Sequence, residues 1–288
     1  MERLLSKMDI NAERQSRGEG CLEGRIRHRG TERTSEDNLF EKDPFMARAG
    51  MGMNAEPPRI HTHPPKPLAS PALIVFDIDG TLFETHRVTV PAVQRTLAAY
   101  GLPVPDAETV CRFFGQPNEL YLEWLASRIP PVRRDEIIDA INRLELELIA
   151  TEGCLYPGVR GLLERLASEG HVLALCSNGP DDYVETFVEA HGLGTLCRVV
   201  RARGARYPGK REMQAEILAL IPVRPAIMVG DRKDDIGAAH ANGMLALAAG
   251  YGFGTEAELS EADAHAASPE ELESAIRAIL SKHVRSHF

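Results

Sequence analysis

Ala72-Leu73-Ile74-Val75-Phe76-Asp77-Ile78-Asp79-Gly80-Thr81 carries five apolar residues straight into two carboxylates and a glycine. A short, unbroken apolar run marks a strand buried on both faces of a parallel sheet. Similar runs recur at 172–176, 227–229 and 245–248, with Val199 and Val200 a weaker instance. Between several of them lie helical patterns: Leu162, Leu163 and Leu166; Tyr183, Phe187 and Ala190; Met213, Ile217 and Leu220. Strand and helix in alternation predict an α/β fold, a doubly wound, Rossmann-like parallel sheet.

One segment breaks the rhythm. From 84 to about 154 no strand-like run occurs, and the patterns read as helices over 90–100, 118–127 and 133–150. The last of these places Ile137, Ile138, Ile141, Leu144 and Leu148 on one face. The expected organisation is a core of 71–83 and 155–288 with an all-helical insertion, 84–154, directly after its first strand. Residues 1–70 lack a sustained apolar period and end in a proline-rich stretch, which reads as a disordered or loosely attached leader. Met46, Met51 and Met53 near its end offer internal start sites, and His61 and His63 read as incidental in a proline-rich tail.

The chain of 288 residues is 43% hydrophobic and 26% charged, an ordinary globular composition. No apolar stretch reaches the roughly eighteen residues of a membrane span, and Met1-Glu2-Arg3-Leu4-Leu5-Ser6-Lys7 lacks the apolar region of a secretory signal. The cytoplasm is therefore the expected compartment, with no membrane partner. Cys21, Cys111, Cys154, Cys176 and Cys197 are scattered and form no C-x-x-C pair, which argues against a disulfide framework or a structural zinc site. Residues 1–70 hold 12 Lys/Arg and 11 Asp/Glu, a net of +1, so the remainder carries −10 of the formal −9. An acidic body disfavours nucleic acid as a partner. A phosphorylated substrate then needs a local cation, from a metal ion or a lysine.

In open parallel sheets ligands bind outside the carboxyl ends of the strands. The first run ends in Asp77 and Asp79, the second in Ser177-Asn178-Gly179, and the third in Gly230-Asp231-Arg232-Lys233-Asp234-Asp235; Lys210 precedes a helical pattern in Pro208-Gly209-Lys210. Taken singly, each has an ordinary reading: D-x-D as turn-forming or capping carboxylates, Ser177-Asn178 and Asp231 to Asp235 as helix caps, Lys210 as a solvated lysine. Gathered at one sheet edge, several carboxylates repel one another and need a cation. Oxygen ligands without clustered His or Cys select a hard ion, and few carboxylates with room for water suit Mg²⁺ better than Ca²⁺. Asp77-x-Asp79-Gly80 also lacks the further ligands of an EF-hand loop.

Taken in order, Asp77-Ile78-Asp79-Gly80-Thr81-Leu82, Ser177-Asn178, Lys210 and Gly230-Asp231-x-x-x-Asp235 resemble the four motifs of the haloacid-dehalogenase-like hydrolase superfamily. The likeness is to its phosphatases with a small helical cap, of the phosphoglycolate-phosphatase-like kind, and it covers 72 to about 280. Tyr156-Pro157-Gly158-Val159 resembles the join from cap to core, and Tyr251-Gly252-Phe253-Gly254 a further family segment. The resemblance implies that Asp77 is a nucleophile forming an aspartyl-phosphate and Asp79 its general acid/base. It implies that Mg²⁺ is held by Asp77, Asp231, the Asp79 backbone carbonyl and Asp235, with Asp234 the alternative to Asp235. Ser177, Asn178 and Lys210 would bind phosphate, and Thr81 would help position Asp79. The family's K-P-x-P is replaced here by Tyr207-Pro208-Gly209-Lys210-Arg211, which leaves Arg206 as the fallback for Lys210.

The implied activity is hydrolysis of a small phosphorylated metabolite. A phosphomutase of the β-phosphoglucomutase type shares the four motifs, and a non-catalytic phosphometabolite-binding relative is the alternative of a different class. A carbon-centred dehalogenation needs neither Asp79 nor Asp231. Glu84-Thr85-His86 occupies a cap-linker position that often touches substrate. Phe113, Phe114, Gly115, Gln116 and Tyr121 lie in the cap region; Phe113, Phe114 and Trp124 also read as cap-core residues.

Overall fold

The computed structural model describes residues 71–285; the leader read at 1–70 lies outside the described residues. Six strands form one parallel sheet: β1 (Leu73–Phe76), β2 (Val172–Ser177), β3 (Cys197–Ala202), β4 (Ala226–Gly230), β5 (Leu245–Ala249) and β6 (Ala264–Ala266). Their spatial order is β3-β2-β1-β4-β5-β6. The chain winds one way from β1 to β3, then returns to place β4 on the other side of β1. The direction of winding therefore reverses between β1 and β4, which opens a crevice at their carboxyl ends.

The apolar runs are continuous because both faces are covered. Along β1, Ile74 and Phe76 face one core cluster while Leu73 and Val75 face the other. On the first face lie α5 (Val159–Ser168), α6 (Asp181–Ala190) and α10 (Leu272–Arg285); on the second lie α7 (Lys210–Leu220), α8 (Lys233–Ala241) and the short α9 (Glu256–Leu259). Phe76 is fully buried, worth roughly 2–3 kcal/mol of transfer free energy. Cys111, Cys176 and Cys197 are free thiols, all buried.

Between β1 and α5 the structure holds four α-helices and no strand: α1 (His86–Ala99), α2 (Ala107–Cys111), α3 (Asn118–Arg128) and α4 (Arg134–Thr151). α1 packs along α4, and α4 packs on α6 of the core. The segments leading into and out of this insertion bond to each other. Glu84 N donates to Cys154 O at 3.0 Å, Tyr156 N to Leu82 O at 2.9 Å, and Phe83 pairs with Leu155. Three elements exceed the sequence reading. The helix read from 90 begins at His86, while α2 and β6 have five and three residues, too short for a periodic signal.

Candidate active site

Strand register brings the site together. Phe76 lies opposite Leu175 on β2 and Val229 on β4, and Asp77 N donates to Val229 O at 2.9 Å. Asp77, Ser177 and Asp231 therefore emerge at the same edge. Gly80 takes φ +79° in the turn that follows, where a Cβ would collide with Asp231 and lie 2.5 Å from the Phe253 ring. Gly252 is required by contact: a Cβ there would run into Asp231 and lie 2.5 Å from Gly80 O. The Tyr251-Gly252-Phe253 segment thus wraps Asp231, with Phe253 N donating to Asp231 Oδ2 at 2.5 Å.

Asp77, Asp231 and Asp235 are 1%, 0% and 1% exposed, and one carboxylate oxygen of each lies within 4.8 Å of the others. Lys210 is the ammonium among them. It sits at the first position of α7, fully buried, with Nζ 2.7 Å from Asp77 Oδ1 and 2.5 Å from Asp235 Oδ1. Burial works against its charge, but Asp235 and Asp77 outweigh it and hold Lys210 above the ordinary lysine range. Asp235 also accepts from Arg232 N at 3.0 Å, so it caps α8 and lines the cluster at once. Asp234 is exposed and turns instead to Asn178 Nδ2 at 3.2 Å. Arg206 is exposed and pairs with Glu216 at 3.4 Å, away from the cluster.

One buried ammonium does not balance this set. Burial raises Asp77 well above the usual carboxylate range; Lys210 opposes that shift, while Asp235, Asp231 and Asp79 add to it. Burial, then Asp235, pushes Asp231 up to about 7. Asp77 Oδ2 and Asp231 Oδ1 are buried without a hydrogen-bond donor. An oxygen-only set, short of positive charge and with two unpartnered oxygens, fits a hard divalent cation.

Asp79 is held differently. Its Oδ1 accepts from Thr85 Oγ at 2.8 Å and Tyr183 Oη at 2.5 Å, and its Oδ2 from Ser177 Oγ at 3.4 Å. Ser177 Oγ in turn accepts from Gly179 N at 3.0 Å. The expectation that Thr81 positions Asp79 is corrected here. Thr81 is fully buried, its hydroxyl has no hydrogen-bond partner, and Tyr251 Oη holds its carbonyl at 2.7 Å. Thr85, one turn on, takes the part instead. Asn178 Nδ2 donates to Gly115 O of the insertion at 3.0 Å, while its Oδ1 stays unpartnered.

Between core and insertion lies a cavity of about 220 Å³, reaching Asp79, Asn178 and Gly179 on the core side. Phe113, Phe114, Gly115, Gln116 and Tyr121 line it from the insertion, together with Asn142 and Glu145 of α4. Phe113 also packs at a tilt against Trp124, ring centroids 4.9 Å apart, so its structural and lining roles coincide. The sequence reading did not single out Tyr183 and Glu145, which the structure brings to Asp79 and its cavity. Tyr183 reads as an apolar position of α6; Glu145 leaves a signal, because it interrupts the buried stripe between Ile141 and Leu148.

The profile of the haloacid dehalogenase-like hydrolases matches residues 74–249. The chain belongs to this family. It is 28% identical over 204 residues to phosphoglycolate phosphatase of Haemophilus influenzae, spanning 66% of this chain and 91% of that protein. It is also 28% identical over 220 residues to the tyrosine-protein kinase PtkA of Mycobacterium tuberculosis, spanning 73% and 74%. Among solved structures, a haloacid dehalogenase-like hydrolase of Streptococcus pneumoniae superposes with a TM-score of 0.62 at 25% identity, covering 72% of this chain and 99% of that one. The family is one of hydrolases, and the chain is an enzyme of that kind with a Rossmann-like core. Among the described residues, no helix is long and apolar enough to cross a membrane.

Proposed function

We propose that this enzyme is a Mg²⁺-dependent, cytoplasmic phosphatase that hydrolyses a small phosphate monoester through an aspartyl-phosphate on Asp77. The observation that carries the reading is the contrast between the two Asp77 oxygens. Oδ1 is fixed by Lys210 at 2.7 Å, while Oδ2 is buried without a donor, on a carboxylate grouped with those of Asp231 and Asp235. Curated relatives named phosphoglycolate phosphatase support the substrate class.

An Asp77 oxygen forms a bond to phosphorus as the ester P–O bond breaks, and Asp79 gives its proton to the departing alcohol. A water then attacks phosphorus, Asp79 takes its proton, and the Asp77–phosphorus link breaks to release inorganic phosphate. Ser177, Asn178 and Lys210 are assigned to the phosphate oxygens, where fixed donors stabilise developing charge. Asp77, Asp231, Asp235 and the backbone carbonyl of Asp79 would hold Mg²⁺, which would supply the positive charge that an anionic nucleophile and an anionic phosphate need. Residues 84–154 serve as a cap that excludes water from the cavity.

The test is a panel of small phosphate esters assayed for released phosphate. Wild type is expected to release it and Asp77→Asn to lose that activity by at least a thousandfold while keeping its unfolding temperature. Undiminished release by Asp77→Asn defeats the mechanism. Formation of an isomeric phosphate in place of free phosphate assigns the enzyme to the phosphomutases.

A further inference from the structure

Glu145 stands in the middle of the apolar stripe of α4, one turn from Ile141 and one from Leu148. It is 9% exposed and lines the cavity shared with Asp79. Its Oε1 accepts from Thr89 Oγ, and no Lys, Arg or His among the described residues pairs with it. A carboxylate withdrawn from water without a counter-charge is costly. Burial accordingly raises it from the ordinary glutamate range to about 7, with Thr89 opposing the shift.

A second, independent feature points into the same space. Tyr121 is also 9% exposed, lines the cavity, and its hydroxyl has no hydrogen-bond partner. Phe113, Phe114 and Tyr183 add aromatic faces around it. The charged groups lining the cavity are Asp79, Glu145 and Asp182, all carboxylates. Cations near by are engaged elsewhere: Lys210 with Asp77 and Asp235, Arg232 with Phe253 O and Glu258, and Arg203 with Glu119.

We infer that the substrate's leaving group is an ammonium-bearing alcohol, whose cation is received by Glu145, Tyr121 and the aromatic rings of this cavity. The inference rests on the phosphatase reading and narrows it. A carboxylate-bearing leaving group meets three like charges and no lining cation. A neutral polyol donates hydrogen bonds but leaves Glu145 uncompensated. An ammonium group neutralises Glu145, donates to the Tyr121 hydroxyl and lies favourably against aromatic faces. The chain is thereby separated from relatives named for phosphoglycolate, whose leaving alcohol is an anion.

The experiment compares kcat/KM for phosphate release at pH 8 with Mg²⁺ on matched esters. These are 2-aminoethyl phosphate against glycerol phosphate and 2-phosphoglycolate, and glucosamine 6-phosphate against glucose 6-phosphate, with p-nitrophenyl phosphate as a general ester. In at least one set the amine is expected to be preferred by tenfold or more, with phosphoglycolate the poorest. Glu145→Gln is expected to erase that preference, chiefly through KM. Should that variant fail to fold, Tyr121→Phe is read the same way, with an expected threefold or greater loss. Equal or better use of phosphoglycolate, or an amine preference untouched by the substitution, overturns the inference. Turnover of p-nitrophenyl phosphate with no amine preference overturns it alone, whereas turnover of no ester at all removes the phosphatase reading and this inference with it.

Discussion

Tyr183 Oη lies 2.5 Å from Asp79 Oδ1, so a helix 104 residues further along the chain orients a carboxylate on the turn after β1. The turn alone leaves Asp79 free to swing. Thr85 and Tyr183 together direct one oxygen, and Ser177 approaches the other.

Removing the phenolic donor tests this restraint. Tyr183→Phe keeps the ring that packs α6 and deletes one hydrogen bond to a carboxylate, worth roughly 1.5–3 kcal/mol. Because that bond bears on the proposed acid/base group, kcat is expected to fall about ten- to hundredfold while KM changes little. A kcat and a pH–rate profile identical to wild type would show that Tyr183 serves packing alone.

The charge imbalance at the strand ends predicts a thermal response. Adding Mg²⁺ at about 100 times its dissociation constant to protein stripped with EDTA stabilises the folded state by roughly 2.7 kcal/mol. For a domain of this size the unfolding temperature is expected to rise by about 5–10 °C. Asp231→Asn removes a buried carboxylate from the set and is expected to lose most of that rise. An unfolding temperature indifferent to Mg²⁺ in the wild type counts against the metal assignment.

Glu145 predicts a pH dependence of stability. Its folded value, about 7, lies above the unfolded value near 4.5, so the protonated form is favoured by folding. Its contribution is intact below about pH 4.5, declines as the unfolded chain ionises, and is lost above about pH 7. The full difference is about 3 kcal/mol. Glu145→Gln, neutral throughout, is therefore expected to gain in unfolding temperature over wild type between pH 5 and pH 8.5. An offset between the two proteins that stays constant over that range would refute the assignment.

Legibility in the sequence divides along a physical line. Four strands were readable because burial on both faces demands unbroken apolar runs; β3, a half-buried edge strand, left only the weaker Val199–Val200 signal, and β6 left none, with only Ala264, His265 and Ala266 to mark it. Asp77, Asp231 and Asp235 were readable because each follows a run, and parallel register brings strand ends together. Asp234 and Asp235 are adjacent in sequence, and helical geometry separates them by turning Asp235 inward and Asp234 out. Thr85 displaced Thr81 because a hydroxyl's reach depends on where α1 begins, and α1 begins at His86 rather than 90. Glu145 was visible only as an interruption of a stripe whose orientation toward Asp79 comes from packing.

The sequence by itself determined the α/β alternation, the interruption by helices after β1, and the carboxylates, serine and lysine at the strand ends. Those follow from local period and from the rule that parallel strands share one carboxyl edge. Tertiary structure alone decided which residues hold Asp79, that Lys210 bridges Asp77 and Asp235, and that Glu145 and Tyr121 face the same cavity as Asp79. Periodicity records which face of an element is buried; the rotation and docking of one element on another, set by packing across the whole core, decides what a buried polar atom meets there.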